Sequence, residues 1–158
     1  MRPIICAVML ISALPCAIAG QPAQPPAAPP PGSAGTFKSA QELAEVLKKA
    51  AATTGGMTTS AVSNTDQYRV NIVHRAKPAG ALAHAGNTEL HYIIEGSGTI
   101  VTGGTIAKGP GGATIENGES RTVAKGDVII IPANSPHWYS VVDGAITYLE
   151  VRWLAPAK

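Results

Sequence analysis

The hydrophobic pattern of this chain has three regimes. From Ile4 to Leu14 nearly every residue is apolar. From Gln21 to Gly35 there is no period, only Pro, Ala, Gln, Gly and Ser, with six Pro between 22 and 31. Beyond that the chain becomes periodic, first with a helical spacing and then with a period of two. Ser39-Ala40-Gln41-Glu42 fits a capping box. Leu43, Val46, Leu47 and Ala50 follow at helical spacing, with Lys48 and Lys49 where cations suit the end of a helix. A helix is therefore expected within residues 36–55, ended by Thr53-Thr54-Gly55-Gly56. After Gly56 apolar and polar residues alternate. Strands are expected over Tyr68 to His74, Glu89 to Glu95, Thr99 to Thr102, Arg121 to Val123, Val128 to Ile131, Trp138 to Val142 and Ile146 to Trp153. Glycine-rich turns divide them. Short strands at this spacing predict an all-β sandwich or barrel over 56–158, and the lack of intervening helices excludes a parallel α/β sheet.

The first regime has the layout of a secretory signal peptide: Arg2, an apolar stretch, then the small-x-small site Ala17-Ile18-Ala19. A signal peptide is expected over 1–19 and a Pro/Ala-rich linker over 20–35. A spanning helix needs about 20 apolar residues, and Pro15 interrupts this run. Lipidation at Cys16 is disfavoured because Pro15 sits where a small residue is expected. The expected location is periplasmic or secreted, with no membrane attachment after cleavage. Both Cys, at 6 and 16, lie in the removed segment, so thiol catalysis and cysteine-bound zinc are excluded for the cleaved chain. Such a chain depends on its core or on oligomerisation. A length of 158 residues suits one domain, and a net charge of +2 from 12 basic and 10 acidic residues argues against nucleic acid as a partner.

All four His (74, 84, 91 and 137) fall in the alternating regime. In a strand, residues i and i+2 share a face, which puts Glu89 and His91 on one side and Leu90 and Tyr92 on the other. His84 precedes them, and His137 follows Pro132-Ala133-Asn134-Ser135-Pro136. Imidazoles and a carboxylate converging from separate strands suit one divalent transition metal (iron, manganese, nickel, zinc or copper) and not calcium.

The stretch from His84 to Gly98, His-Ala-Gly-Asn-Thr-Glu-Leu-His-Tyr-Ile-Ile-Glu-Gly-Ser-Gly, resembles the first conserved motif of the cupins, His-x-His-x(4)-Glu-x(6)-Gly. The stretch from Gly126 to His137 resembles the second, Gly-x(5)-Pro-x-Gly-x(2)-His-x(3)-Asn. The resemblance implies a conical double-stranded β-barrel of jelly-roll type, often dimeric, with a metal inside. His84 matches the second His of the first motif, Glu89 its Glu and Gly96 its closing Gly; His137 matches the His of the second. Asn134 stands where Gly is usual, and Asn tolerates positive φ. Leu82 occupies the first His position and Val141 the last Asn position, so the family's metal set is one His short. His91, on the same face as Glu89, is the expected replacement. The expected metal ligands are His84, Glu89, His91 and His137, set against a cupin that has lost its metal. Burying two His and a Glu unpaired would be costly, which favours the metal.

Two further residues are candidates for catalysis. His74 ends its strand and, if inward, would be an acid/base in the cavity; otherwise it is a rim residue near Arg75. Tyr139, two residues past His137, would donate a hydrogen bond to a bound oxygen or else pack the barrel. Arg75, Lys77 and Arg121 are either attractors of an anion at the mouth or ordinary surface charges. The Gly-rich segment from Gly103 to Gly118 is either a lid or a long hairpin. The function expected is an exported, small-molecule-binding cupin, as a metal-dependent dioxygenase, lyase or isomerase. The alternative is a non-catalytic ligand-binding cupin without metal.

Overall fold

The computed structural model describes residue 32 and residues 34–52 and 55–156. The expected signal peptide and nearly all of the expected linker lie outside these residues. Helix α1 spans Ala40–Ala51. Ser39 caps it reciprocally: its Oγ accepts from the Glu42 backbone N–H at 3.2 Å, and its own N–H donates to the Glu42 carboxylate at 2.8 Å. One face of α1 packs on the first two strands, and Ala50 is its buried residue.

The strands are β1 (Met57–Asn64), β2 (Tyr68–Arg75), β3 (Asn87–Thr102), β4 (Thr105–Gly109), β5 (Gly112–Glu116), β6 (Glu119–Ala124), β7 (Val128–Ile131) and β8 (His137–Leu154). All pairings are antiparallel. One sheet has the order β1-β2-β8-β3-β6, with β7 also pairing β3, and β4 pairs β5 separately. This is the all-β jelly-roll arrangement that the motif resemblance implies. The Gly-rich segment is thus a hairpin, tied to the barrel where the Ala81 N–H donates to the Ala113 carbonyl at 2.8 Å.

Three expectations are corrected. β1 has no counterpart among the predicted strands, because its Thr- and Ser-rich sequence carries little apolar alternation. β3 continues through Gly96-Ser97-Gly98, and β8 continues through Asp143-Gly144, where turns were expected. These segments lie opposite each other as register shifts, and Ser97 Oγ donates to Asp143 at 2.9 Å. The glycines bend the paired strands and do not reverse them. Gly96 has φ +80°, and a Cβ there would run into the Ala145 carbonyl.

The core is formed by Val73, Ile93, Ile100, Val123, Ile131, Tyr139, Ile146 and Tyr148. Directly opposed residues share a face, so the register defines rows across the interior. One runs Val73–Tyr148–Ile93, the next Asn71–Glu150–His91–Ile129, and the next Arg69–Arg152–Glu89–Ile131. The apolar rows thus give way to polar ones along the same three strands. Substituting Gly96 by Ala is expected to destabilise the fold by about 2 kcal/mol or more, from the positive φ and the carbonyl clash. Urea unfolding measures this directly, and a midpoint equal to that of the unsubstituted protein would contradict the assigned bulge.

Candidate metal centre

β3 carries Glu89 into the interior beside the start of β8, and the loop before β3 brings His84 to the same place. That loop is fastened to the turn before β8. The Asn134 N–H donates to the His84 carbonyl at 3.1 Å, and Asn134 Oδ1 accepts from the Gly86 N–H at 3.1 Å. Asn134 has φ +66°, a left-handed conformation that Asn adopts more readily than most residues, and its side chain does work that Gly could not. Leu82 is joined to His137 by reciprocal backbone hydrogen bonds of 2.8 and 3.2 Å.

Glu89 is 1% exposed and divides its two oxygens between different neighbours. Oε1 lies 3.5 Å from His84 Nε2 and 3.7 Å from His137 Nε2. Oε2 lies 3.3 Å from His91 Nε2 and 3.4 Å from Arg152 Nε. Ligand atoms of His84, Glu89 and His137 all fall within 4.8 Å of one another, as do those of Glu89, His91 and Glu150. The four expected ligands therefore meet at one carboxylate, His91 on the opposite oxygen from the other two imidazoles.

One hydrogen bond assigns the nitrogens of His137, whereas at His84 it is Nδ1 that faces a donor, Arg152 Nη1, at 3.5 Å. His137 Nδ1 lies 3.1 Å from the Ser135 carbonyl, which only accepts, so Nδ1 carries the proton. Its Nε2 then presents a lone pair to Glu89 Oε1. Burial, foremost, holds the pKa of His137 below the ordinary imidazole value, as it does for His84. A neutral imidazole lone pair facing a carboxylate oxygen is two acceptors without a proton, which a shared cation satisfies. Burial raises the carboxyl of Glu89, but the His91 hydrogen bond and the charges around it outweigh burial and leave its pKa lowered. Two neutral imidazoles and a carboxylate are a donor set for a divalent transition metal.

His91 is fixed from both ends. Its Nδ1 lies 3.1 Å from the Tyr139 hydroxyl, and its ring stacks on Tyr148 at 4.4 Å. Tyr139 is buried and stacks on Tyr148 at 5.2 Å. Burial raises both phenols, Tyr148 to about 12, so both keep their protons. His74 lies elsewhere. It faces Thr147 in the β2–β8 register, with Nδ1 2.9 Å from Thr147 Oγ1, on the opposite side of the sheet from Asn71, Val73 and Arg75. Arg75 is not at a mouth. It is buried, its Nε donates to the Tyr148 hydroxyl at 2.9 Å, and its guanidinium lies 5.3 Å from the centre of the Tyr139 ring. Lys77 is exposed, and Arg121 is an exposed residue paired with Glu119.

Sequence reasoning missed Asn71, Glu150 and Arg152. Glu150 is buried, accepting from Asn71 Nδ2 at 3.0 Å and from Arg152 Nη2 at 2.7 Å. The signal was Tyr148-Leu149-Glu150-Val151-Arg152-Trp153, where charged residues alternate with apolar ones. Alternation does not reveal which set faces inward.

The family described as Cupin matches residues 47–144, more than half of the chain. The chain belongs to the cupin family. Among solved structures, iron(II) HppE is similar with a TM-score of 0.51 at 15% identity, over 64% of this cupin and 53% of that chain. Cobalt(II) HppE in complex with substrate gives 0.50 at 16% identity, over 61% and 52%. A cupin superfamily protein from Desulfitobacterium hafniense DCB-2 gives 0.44 at 17% identity, over 63% and 78%. At these identities the likeness concerns the fold. Among the curated proteins, none matches this cupin.

The imidazoles and Glu89 act on stability in the same direction. His84 and His137 resist protonation when folded, so unfolding takes up protons below the ordinary His value of 6.5. Glu89 resists protonation more when folded than when unfolded, and its contribution is lost as pH falls below the ordinary value of 4.5. With chelator present, the cupin is expected to be most stable above about pH 6.5 and to lose stability steadily toward about pH 4. Thermal melts across that range check the sign, and a melting temperature that rises on acidification contradicts it.

Proposed function

We propose that this cupin is an exported small-molecule protein that holds one divalent transition metal between His84, Glu89 and His137, with His91 completing the set. The observation that carries this reading is the pair of acceptors facing each other at 3.7 Å, His137 Nε2 and Glu89 Oε1, with His84 Nε2 converging on the same oxygen. A metal bound there would act as a Lewis acid on a ligand oxygen, the chemistry that supports oxygen insertion, elimination or isomerisation. The protein's own contribution is positional. Ser135 fixes the His137 tautomer, Tyr139 and Tyr148 hold the His91 ring, and the partly exposed His84 gives the site its access to solvent. Export is supported by the layout of residues 1–19 and is read out by the N-terminus of the mature protein, expected at Gly20.

Arg152 favours a second reading. Its guanidinium lies against both Glu89 and Glu150 and offsets their charge without a metal, as in a non-catalytic ligand-binding cupin. Elemental analysis of protein purified without added metal separates the two. Close to one equivalent is expected, falling below about a tenth in the His137→Ala variant, since removal of one of so few ligands opens the site. A metal-free preparation that also fails to reload leaves only the second reading. His91→Ala is expected to lower retention; unchanged content would show that His91 is not a ligand.

We also propose a homodimer. The outer face of the sheet carries Ile130–Leu90–Val151 and Val128–Tyr92–Leu149 in adjacent rows, with Val128 56% and Ile130 62% exposed. A second copy would cover this apolar face. Sedimentation is expected to give a dimer that Ile130→Asp converts to monomer; a monomeric parent protein would rule the proposal out.

A further inference from the structure

The row that contains Glu89 continues past Arg152 to a residue the metal centre does not use, Arg69. Arg69 of β2 and Arg152 of β8 are directly opposed across the antiparallel ladder. Like charges in that position destabilise a sheet. Arg152 is compensated by Glu150 and Glu89. Arg69 is exposed and has neither an ion pair nor a side-chain hydrogen bond among the described residues. Both arginines line a cavity of about 480 Å³, together with Asp66, Tyr68, His84 and Leu154. That volume falls in the range of small-molecule sites, about 300 to 1,000 Å³. Asp66 is the one acid on the lining, and Glu89 and Glu150 lie behind it against Arg152, which leaves Arg69 as the arginine of the wall without an ion pair. His84 belongs both to this wall and to the candidate metal centre.

We propose that this cavity binds a small organic carboxylate, with Arg69 and Arg152 gripping the carboxylate beside His84. Planar guanidinium forks match a carboxylate in two-point geometry, and an anion seated there supplies Arg69 with the counter-charge that Arg152 already has. Tyr68 and Leu154 offer apolar surface to the body of the ligand. The proposal deepens the reading of the protein as a small-molecule cupin and rests on it for the kind of ligand, but the grip itself requires no metal.

The test is calorimetric titration of the full chain with lactate, gluconate and benzoate, each against its uncharged amide, and with inorganic phosphate. At least one carboxylate is expected to bind with Kd below about 10 mM while its amide does not. Arg69→Gln is expected to weaken that carboxylate roughly tenfold or more, the loss of one charge-assisted contact. Because Arg69 is exposed and faces a like charge, the same variant should melt no lower than the parent, so weaker binding is not unfolding. Four results overturn the proposal: no carboxylate of the panel binds, acid and amide bind alike, Arg69→Gln binds as the parent does, or phosphate binds more tightly than every carboxylate. Metal analysis of the same samples keeps the two readings apart. Arg69-dependent binding without metal would sink the metal centre alone, whereas bound metal without Arg69-dependent binding would sink the carboxylate site alone.

Discussion

Glu89 is an ionised carboxylate almost wholly removed from water, at the point where β3 turns toward the polar end of the barrel. An uncompensated charge in such a place costs several kcal/mol. The surrounding structure meets that cost from three directions. The loop of His84 arrives from before β3, His137 from the start of β8, and Arg152 from its far end, while His91 lies one pleat along on the same strand. Each depends on backbone that is itself constrained: the Asn134 turn, the Leu82–His137 bridge, and the β3–β8 register. Removing the carboxylate would leave three imidazoles and a guanidinium with no common partner.

The barrel is apolar at one end of its interior and charged at the other, and the change happens within single strands. β8 passes from Ile146 and Tyr148 to Glu150 and Arg152 on one face, and β3 from Ile93 to His91 and Glu89. The tyrosines lie at the boundary. Tyr148 gives its ring to the core and its hydroxyl to Arg75; Tyr139 gives its hydroxyl to His91. Aromatic residues with one polar atom suit that boundary because they need only a single partner.

Much of this was legible in the chain itself. The capping box at Ser39 and Glu42 located the helix, and the two motifs located His84, Glu89, Gly96 and His137. Alternation also placed Glu89 and His91 on one face. What stayed hidden had a common cause. A period of two says that two sets of side chains face opposite ways, but the choice between them depends on partners distant in sequence. Asn71 and Arg75 are inward because Glu150 and Tyr148 receive them, 79 and 73 residues away. The same logic took His74 to the other face, with Thr147. Gly96 and Gly144 look like turn residues locally; only their opposition in the ladder makes them bends in continuous strands.

The charged rows also decide which way the sheet is put together. β8 alternates Leu149, Val151 and Trp153 with Tyr148, Glu150 and Arg152, so sliding it by one residue would exchange the two sets. Judged by oiliness alone, the slipped arrangement would be attractive, with aliphatic side chains inside and charges in water. It fails because Glu89, His91 and Asn71 would then face Leu149 and Val151 with no counter-charges. The ion pairs therefore act as a key for strand assembly: they make one alignment distinctly better than its neighbour, in a stretch where hydrophobicity would choose wrongly.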